Sequence, residues 1–142
     1  MRVIKFRAKI KAKDFRVKLA MAGKPKNEGE WTYGEVHLQS TIPHIHEGMD
    51  KYPIDVDTIG QFTGLKDKNG KEIYEGDIIG CHNPNIKHLI FYNEEQGRFM
   101  AALGGDIEND YFGICGLDCS RWNATKEVIG NIHDNPELLT EK

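Results

Sequence analysis

The feature that most constrains this chain is its punctuation: apolar and polar residues alternate in short runs, and glycine, proline or asparagine breaks each run before a long helix could form. "VIKFRAKI" sets the pattern, with Val3, Lys5, Arg7 and Lys9 on one side and Ile4, Phe6, Ala8 and Ile10 on the other. A period of two puts successive side chains on opposite faces, so this run predicts a strand with one basic and one apolar face. "DFRVKLAM" carries the alternation on through Phe15, Val17 and Leu19 as a second basic strand, and "AGKPKNEGE" reads as loop. "WTYGEVHLQ" alternates through Trp31, Tyr33, Val36 and Leu38, with Gly34 a natural place for a bulge. "STIPHIHEGMDKYPIDVDTIG" reads as irregular around Pro43 and Pro53, with a short extended piece from Ile54 to Ile59.

Downstream, "KHLIFYNEEQGRFMAAL" predicts a hairpin, Leu89 to Tyr92 and Arg98 to Leu103 flanking "NEEQG". "DYFGICGL" is a short strand or buried segment and "KEVIGNI" a final apolar strand. In "HDNPELLTEK" Asp134 or Asn135 can cap a short helix with Pro136 at its first position. No internal repeat, low-complexity segment or long amphipathic helix occurs. The fold class is therefore mainly β, a β-rich α+β arrangement with at most short helices. We read residues 1–142 as one domain, with basic strands and an irregular segment over 1–60 and a barrel-like part over 61–142.

The stretch "QFTGLKDKNGKEIYEGDIIG" concentrates Asp67, Asn69, Glu72, Glu75 and Asp77. Asn69-Gly70 suits a type I′ turn, because both residues tolerate positive φ, and Gly76-Asp77 suggests a second tight turn. Ile73, Tyr74, Ile78 and Ile79 then supply core. A polar hairpin followed by "EGD" and an apolar strand is how small β-barrels enter a strand from a turn. A calcium loop does not fit: with Gly70 in its required place, Leu65 stands where the first carboxylate belongs and Gly76 where the bidentate Glu belongs. The carboxylates are expected to be solvated turn residues.

Four blocks together, "MRVIKFRAK", "WTYGEV", "VDTIGQFTGLKDKNGKEIYEGDII" and "EVIGNIHDNPELL", resemble the YopX family of bacteriophage and prophage proteins. They span both ends and the middle of the chain, while "CHNPNIKHLI" and "GGDIENDYFGICGLDCSRWN" depart from the family pattern. The resemblance implies a predominantly β fold whose central block enters an SH3-like barrel. It carries no established biochemical role and no catalytic residues to transfer.

Charge is polarised. The first 26 residues hold ten basic side chains against Asp14 alone, whereas the rest hold nine against 21 acidic ones. Such a split can draw nucleic acid to the basic end or the acidic body of a sister subunit. Arg2, Lys5, Arg7, Lys9, Lys11, Arg16 and Lys18 are the candidate contacts, with Phe15, Trp31 and Tyr33 near enough in sequence to stack bases.

Chemistry has weaker support. Cys115 and Cys119 (C-x3-C) with His44 and His46 (H-x-H) would be the ligands of a zinc site, against the commoner reading of buried cysteines on an apolar strand. Cys81 and His82 are adjacent and face opposite ways on a strand. Glu94, Glu95, Asp106, Glu108 and Asp110 are acidic loop residues, and no phosphate-binding loop occurs. Three cysteines argue against a disulfide framework, no secretory signal is recognisable, and no apolar run approaches the ~20 residues of a membrane span. The expectation is a non-enzymatic binding protein of the bacterial cytoplasm, without cofactor or membrane partner. Self-association leads, a host or phage protein is a further candidate partner, and a nucleic-acid-binding module is the alternative.

Overall fold

The computed structural model describes residues 4–11, 26–39, 42–80, 86–109, 111–113 and 126–140; within them the alternating runs around Phe6 and Trp31 become strands, and the second basic strand read in "DFRVKLAM" lies outside them. The chain forms two units, Met1–Phe62 and Thr63–Lys142. In the first, β1 (Phe6–Lys9) lies antiparallel to β2 (Trp31–His37), with Phe6 opposite Gly34 and Lys9 opposite Trp31. On its other side β1 meets the start of β5 (Gly60–Lys66), Arg7 facing Gly60. β2 pairs with β3 (His44–Glu47), and β3 with β4 (Asp50–Pro53), so the order is β4-β3-β2-β1-β5. Ala8, Ile45 and Ile54 form the core here, with Val36 and Ile59 packed against them.

The β3–β4 hairpin lies in the stretch read as irregular. Glu47 pairs with Asp50, leaving Gly48-Met49 as a two-residue loop with Gly48 at φ +64°. Glycine at the first loop position suits a II′ turn, whose twist matches paired strands. Pro53 ends the edge strand, where a missing N–H is tolerated. The extended piece from Ile54 survives only at its start, as a bridge from Ile54 to Ile10. Val56–Thr58 is a 3-10 turn whose Asp55 side chain accepts the Asp57 N–H at 3.1 Å.

Gly34 marks no bulge, since the ladders on both sides of it run in unbroken register. It is where β2 passes from pairing with β1 to pairing with β3. Two further expectations change on β1 and β2. Ile4 is 67% exposed, while Thr32 is fully buried beside the exposed Tyr33.

In the second unit the rest of β5 neighbours β6 (Glu72–Tyr74). A five-stranded antiparallel sheet follows, from β7 (Asp77–Gly80), β8 (Lys87–Asn93), β9 (Arg98–Leu103), β10 (Tyr111–Gly113) and β11 (Glu127–Asn131), in the order β10-β9-β8-β7-β11. The predicted hairpin is present, Asn93 pairing with Arg98. Ile73, Ile79, Ile90, Phe99 and Ala101 form the core, joined by Leu65 and Val128.

The chain is thus mainly β, but this sheet is not the closed barrel expected. Among the described residues β10 and β11 each have one sheet neighbour, and a three-residue end strand gives little ladder to close upon. β11 is irregular between Val128 and Gly130, and the terminal helix is a 3-10 turn, Pro136–Leu139, preceded by Asn135. No described helix is long and apolar enough to cross a membrane.

Candidate functional site

The acidic hairpin is built inward rather than left in solvent. Asp67 is only 5% exposed; its Oδ1 accepts the N–H groups of Asn69 and Lys71, both at 2.9 Å, and its Oδ2 that of Val128 at 3.0 Å. Burial alone would raise its pKa, but the three N–H donors and the Lys71 charge outweigh burial and hold it below the usual carboxylate value. Asp77 is buried too, and accepts the Tyr74 N–H at 2.8 Å. This corrects the solvated-turn expectation: both carboxylates are backbone caps, and amide N–H groups aimed at Asp67 disfavour a cation there. The turn also differs from type I′, since among the described residues no non-glycine residue, Asn69 included, has positive φ. Gly70, at φ +83°, donates its N–H to the Asp67 carbonyl at 3.0 Å, the pattern of a turn followed by one left-handed glycine. Gly76, at φ +92°, turns the chain from β6 into β7.

The basic strand is not a bare cationic face. β1 is interior to its sheet, so aromatic side chains of its neighbours cover it. The Arg7 guanidinium lies 4.4 Å from the centre of the Trp31 ring and the residue is 5% exposed. Lys9 lies 5.5 Å from the same ring and Lys5 5.4 Å from that of Phe62. Cations over ring faces are attracted by the ring quadrupole, worth about 0.5–2 kcal/mol according to solvation. Lys11 is exposed. Arg2, Arg16 and Lys18 lie outside the described residues, as do Phe15, Cys81, His82, Asp110, Cys115 and Cys119.

The geometry gathers three imidazoles instead. Alternation along β3 sends Ile45 into the core and leaves His44 and His46 together on the other face. The ladder sets His37 of β2 opposite His44. The His44 and His46 Nε2 atoms are 3.1 Å apart, and one ring nitrogen from each of the three lies within 4.8 Å of the others. The His37 and His44 rings stack, with planes 2° apart. His44 Nδ1 is 2.9 Å from the Ile42 carbonyl oxygen, which can only accept; Nδ1 therefore carries the proton and Nε2 the lone pair. His37 Nε2 lies 3.5 Å from Glu35 Oε1. The His46 pKa is lowered, first by desolvation, then by His37, His44 and Lys51, with Glu35 opposing.

Of the four proposed zinc ligands, two therefore converge, and the sequence reading missed His37. Its signal was available only in part. H-x-H marks one strand face, but His37 joins it only once the β2–β3 register is known.

Beside this strand end an open groove of about 480 Å3 is lined by Phe6, Val36, His37, Leu38, Gln39 and Ile59. The carboxylates weighed for acid–base chemistry offer less. Glu94, Glu95, Asp106 and Glu108 are exposed, and Asp106 accepts the Asn109 N–H at 3.1 Å.

A family model described as "YopX protein" matches residues 5–140. Among solved structures the chain is similar to protein EF1440 from Enterococcus faecalis, known from its crystal structure, at 28% identity and a TM-score of 0.50. That match covers 98% of this chain and 99% of the other. No curated protein matches.

Proposed function

This chain belongs to the YopX family, and we propose that it acts by binding rather than catalysis, as a phage- or prophage-encoded protein of the bacterial cytoplasm that associates with a second copy of itself. The observation that carries this reading is the groove. Phe6, Val36, Leu38 and Ile59 give it apolar walls, and His37 is its one titratable lining residue. Such a surface gains about 25 cal/mol for each Å2 of apolar area it buries, but lacks the paired acid and base that proton transfer needs. The basic start of the chain and its acidic remainder supply opposite charges for two copies to meet.

Concentration-dependent light scattering tests this. The wild type is expected to exceed the 16.2 kDa of one chain and to dissociate as salt rises. Leu38→Asp, at a position 55% exposed and so harmless to folding, is expected to shift the protein to monomer. A wild type that is monomeric at every concentration, or a variant that assembles like it, sinks the proposal.

The partly exposed Lys5, Lys9 and Trp31 favour a second reading, contact with single-stranded nucleic acid. Binding that falls log-linearly with salt and is lost in Lys5→Glu/Lys9→Glu would establish it.

A further inference from the structure

We propose that His37, His44 and His46 bind one divalent transition-metal ion of zinc's borderline-soft class, leaving a coordination position open to water or a ligand. A tetrahedral zinc with metal–nitrogen bonds of about 2.0–2.1 Å needs its nitrogens roughly 3.3 Å apart. His44 and His46 Nε2 already stand at 3.1 Å, and the third nitrogen lies within 4.8 Å. Side-chain rotation at the partly exposed His37 closes that gap.

The backbone does the arranging. Two ligands come from alternate positions of one strand and the third from its direct ladder partner, so the backbone brings all three rings to one face before any ion arrives. The Ile42 carbonyl fixes the His44 tautomer with Nε2 ready to donate its lone pair, the role outer partners play around metal-bound imidazoles.

Across the two ladders His46 faces Glu35 on one side and Lys51 on the other. Glu35 brings a carboxylate toward His37 and Lys51 opposes a cation, so charge alone does not draw an ion in; the imidazoles must. Imidazole selects zinc, copper, nickel and cobalt over calcium and magnesium, which prefer oxygen. Three imidazoles fill three tetrahedral positions, and the fourth is left open as in three-histidine zinc sites. His37 also lines the groove, but the metal site rests on the three imidazoles and the groove proposal on its apolar walls.

Calorimetry with zinc chloride on the untagged full chain, together with the visible spectrum of the cobalt form, decides it. One zinc per chain is expected, not displaced by excess calcium or magnesium. The cobalt form should show tetrahedral d–d bands without a thiolate charge-transfer band. His37→Gln, His44→Gln and His46→Gln should each weaken zinc by at least about tenfold. No zinc binding by the wild type overturns the proposal. So does a thiolate band, which would place the ion on cysteines, or undiminished binding by all three variants. The wild-type spectrum decides even where a variant fails to fold.

Discussion

Gly34→Ala is expected to destabilise the first unit by on the order of 3 kcal/mol and to part β2 from β3. A Cβ built on Gly34 collides with the backbone carbonyl oxygen of His46, with the His46 carbonyl carbon at 3.0 Å and Ile45 Cγ2 at 3.4 Å behind it. A flexible side-chain tip could swing aside, but this obstacle is backbone, and β3 is held by ladders on both sides. Relief therefore requires breaking pairing. The damage falls on the strand that carries His44 and His46, so the variant should also lose the metal affinity proposed above. Gly48→Ala is the matched control. It too has positive φ, at +64°, but a Cβ there meets nothing within 4 Å, so its cost is the left-handed conformation alone, roughly 1–2 kcal/mol. Urea unfolding of both variants measures the difference. A Gly34→Ala protein as stable as Gly48→Ala would show that the two strands do not approach so closely.

Asp67→Ala should cost on the order of 3–5 kcal/mol, because it strips the partner from three backbone N–H groups at once. Asp67→Asn should cost less, and the reason is directional. Its carbonyl oxygen can replace Oδ1 and keep the donors of Asn69 and Lys71, but its NH2 then points at the Val128 N–H, donor against donor. Acid sharpens the comparison. The folded pKa of Asp67 is below its ordinary 3.8, so its contribution is complete above that value and lost as pH falls through the lower folded one. The gap between wild type and Asp67→Asn should therefore be constant near neutrality and narrow below about pH 4. Denaturant midpoints between pH 7 and 3 follow it. Equal stability of the three proteins at pH 7 would mean the carboxylate is a solvated turn residue after all.

These two residues show where sequence reading succeeds and where it stops. Strands came through where the signal was local: β1 and β2 lie in runs recognised by period two, β8 and β9 in the hairpin read around "NEEQG", and β11 in the run read as a final apolar strand. Ile73, Tyr74, Ile78 and Ile79 are buried as expected, none more than 2% exposed. The hairpin over "KDKNGK" was also readable, because a glycine able to take positive φ is a property of one residue. What Asp67 does was not readable. Its third donor, Val128, stands 61 positions away, and a turn carboxylate in solvent has the same local sequence as one sealed under a returning strand. Arg7 failed in the same way: period two assigned it a face, but only the packing of Trp31 decided that the face was covered.

Periodicity, turn chemistry and the resemblance along nearly the whole chain were enough to establish a mainly β protein of the YopX family, since strand formation depends on neighbours one and two positions apart. The convergence of His37 on His44 and His46, the collision waiting at Gly34 and the burial of Asp67 belong to the tertiary structure. Each depends on which strand lies beside which and in what register, and a shift of one residue would turn every one of those side chains to the opposite face.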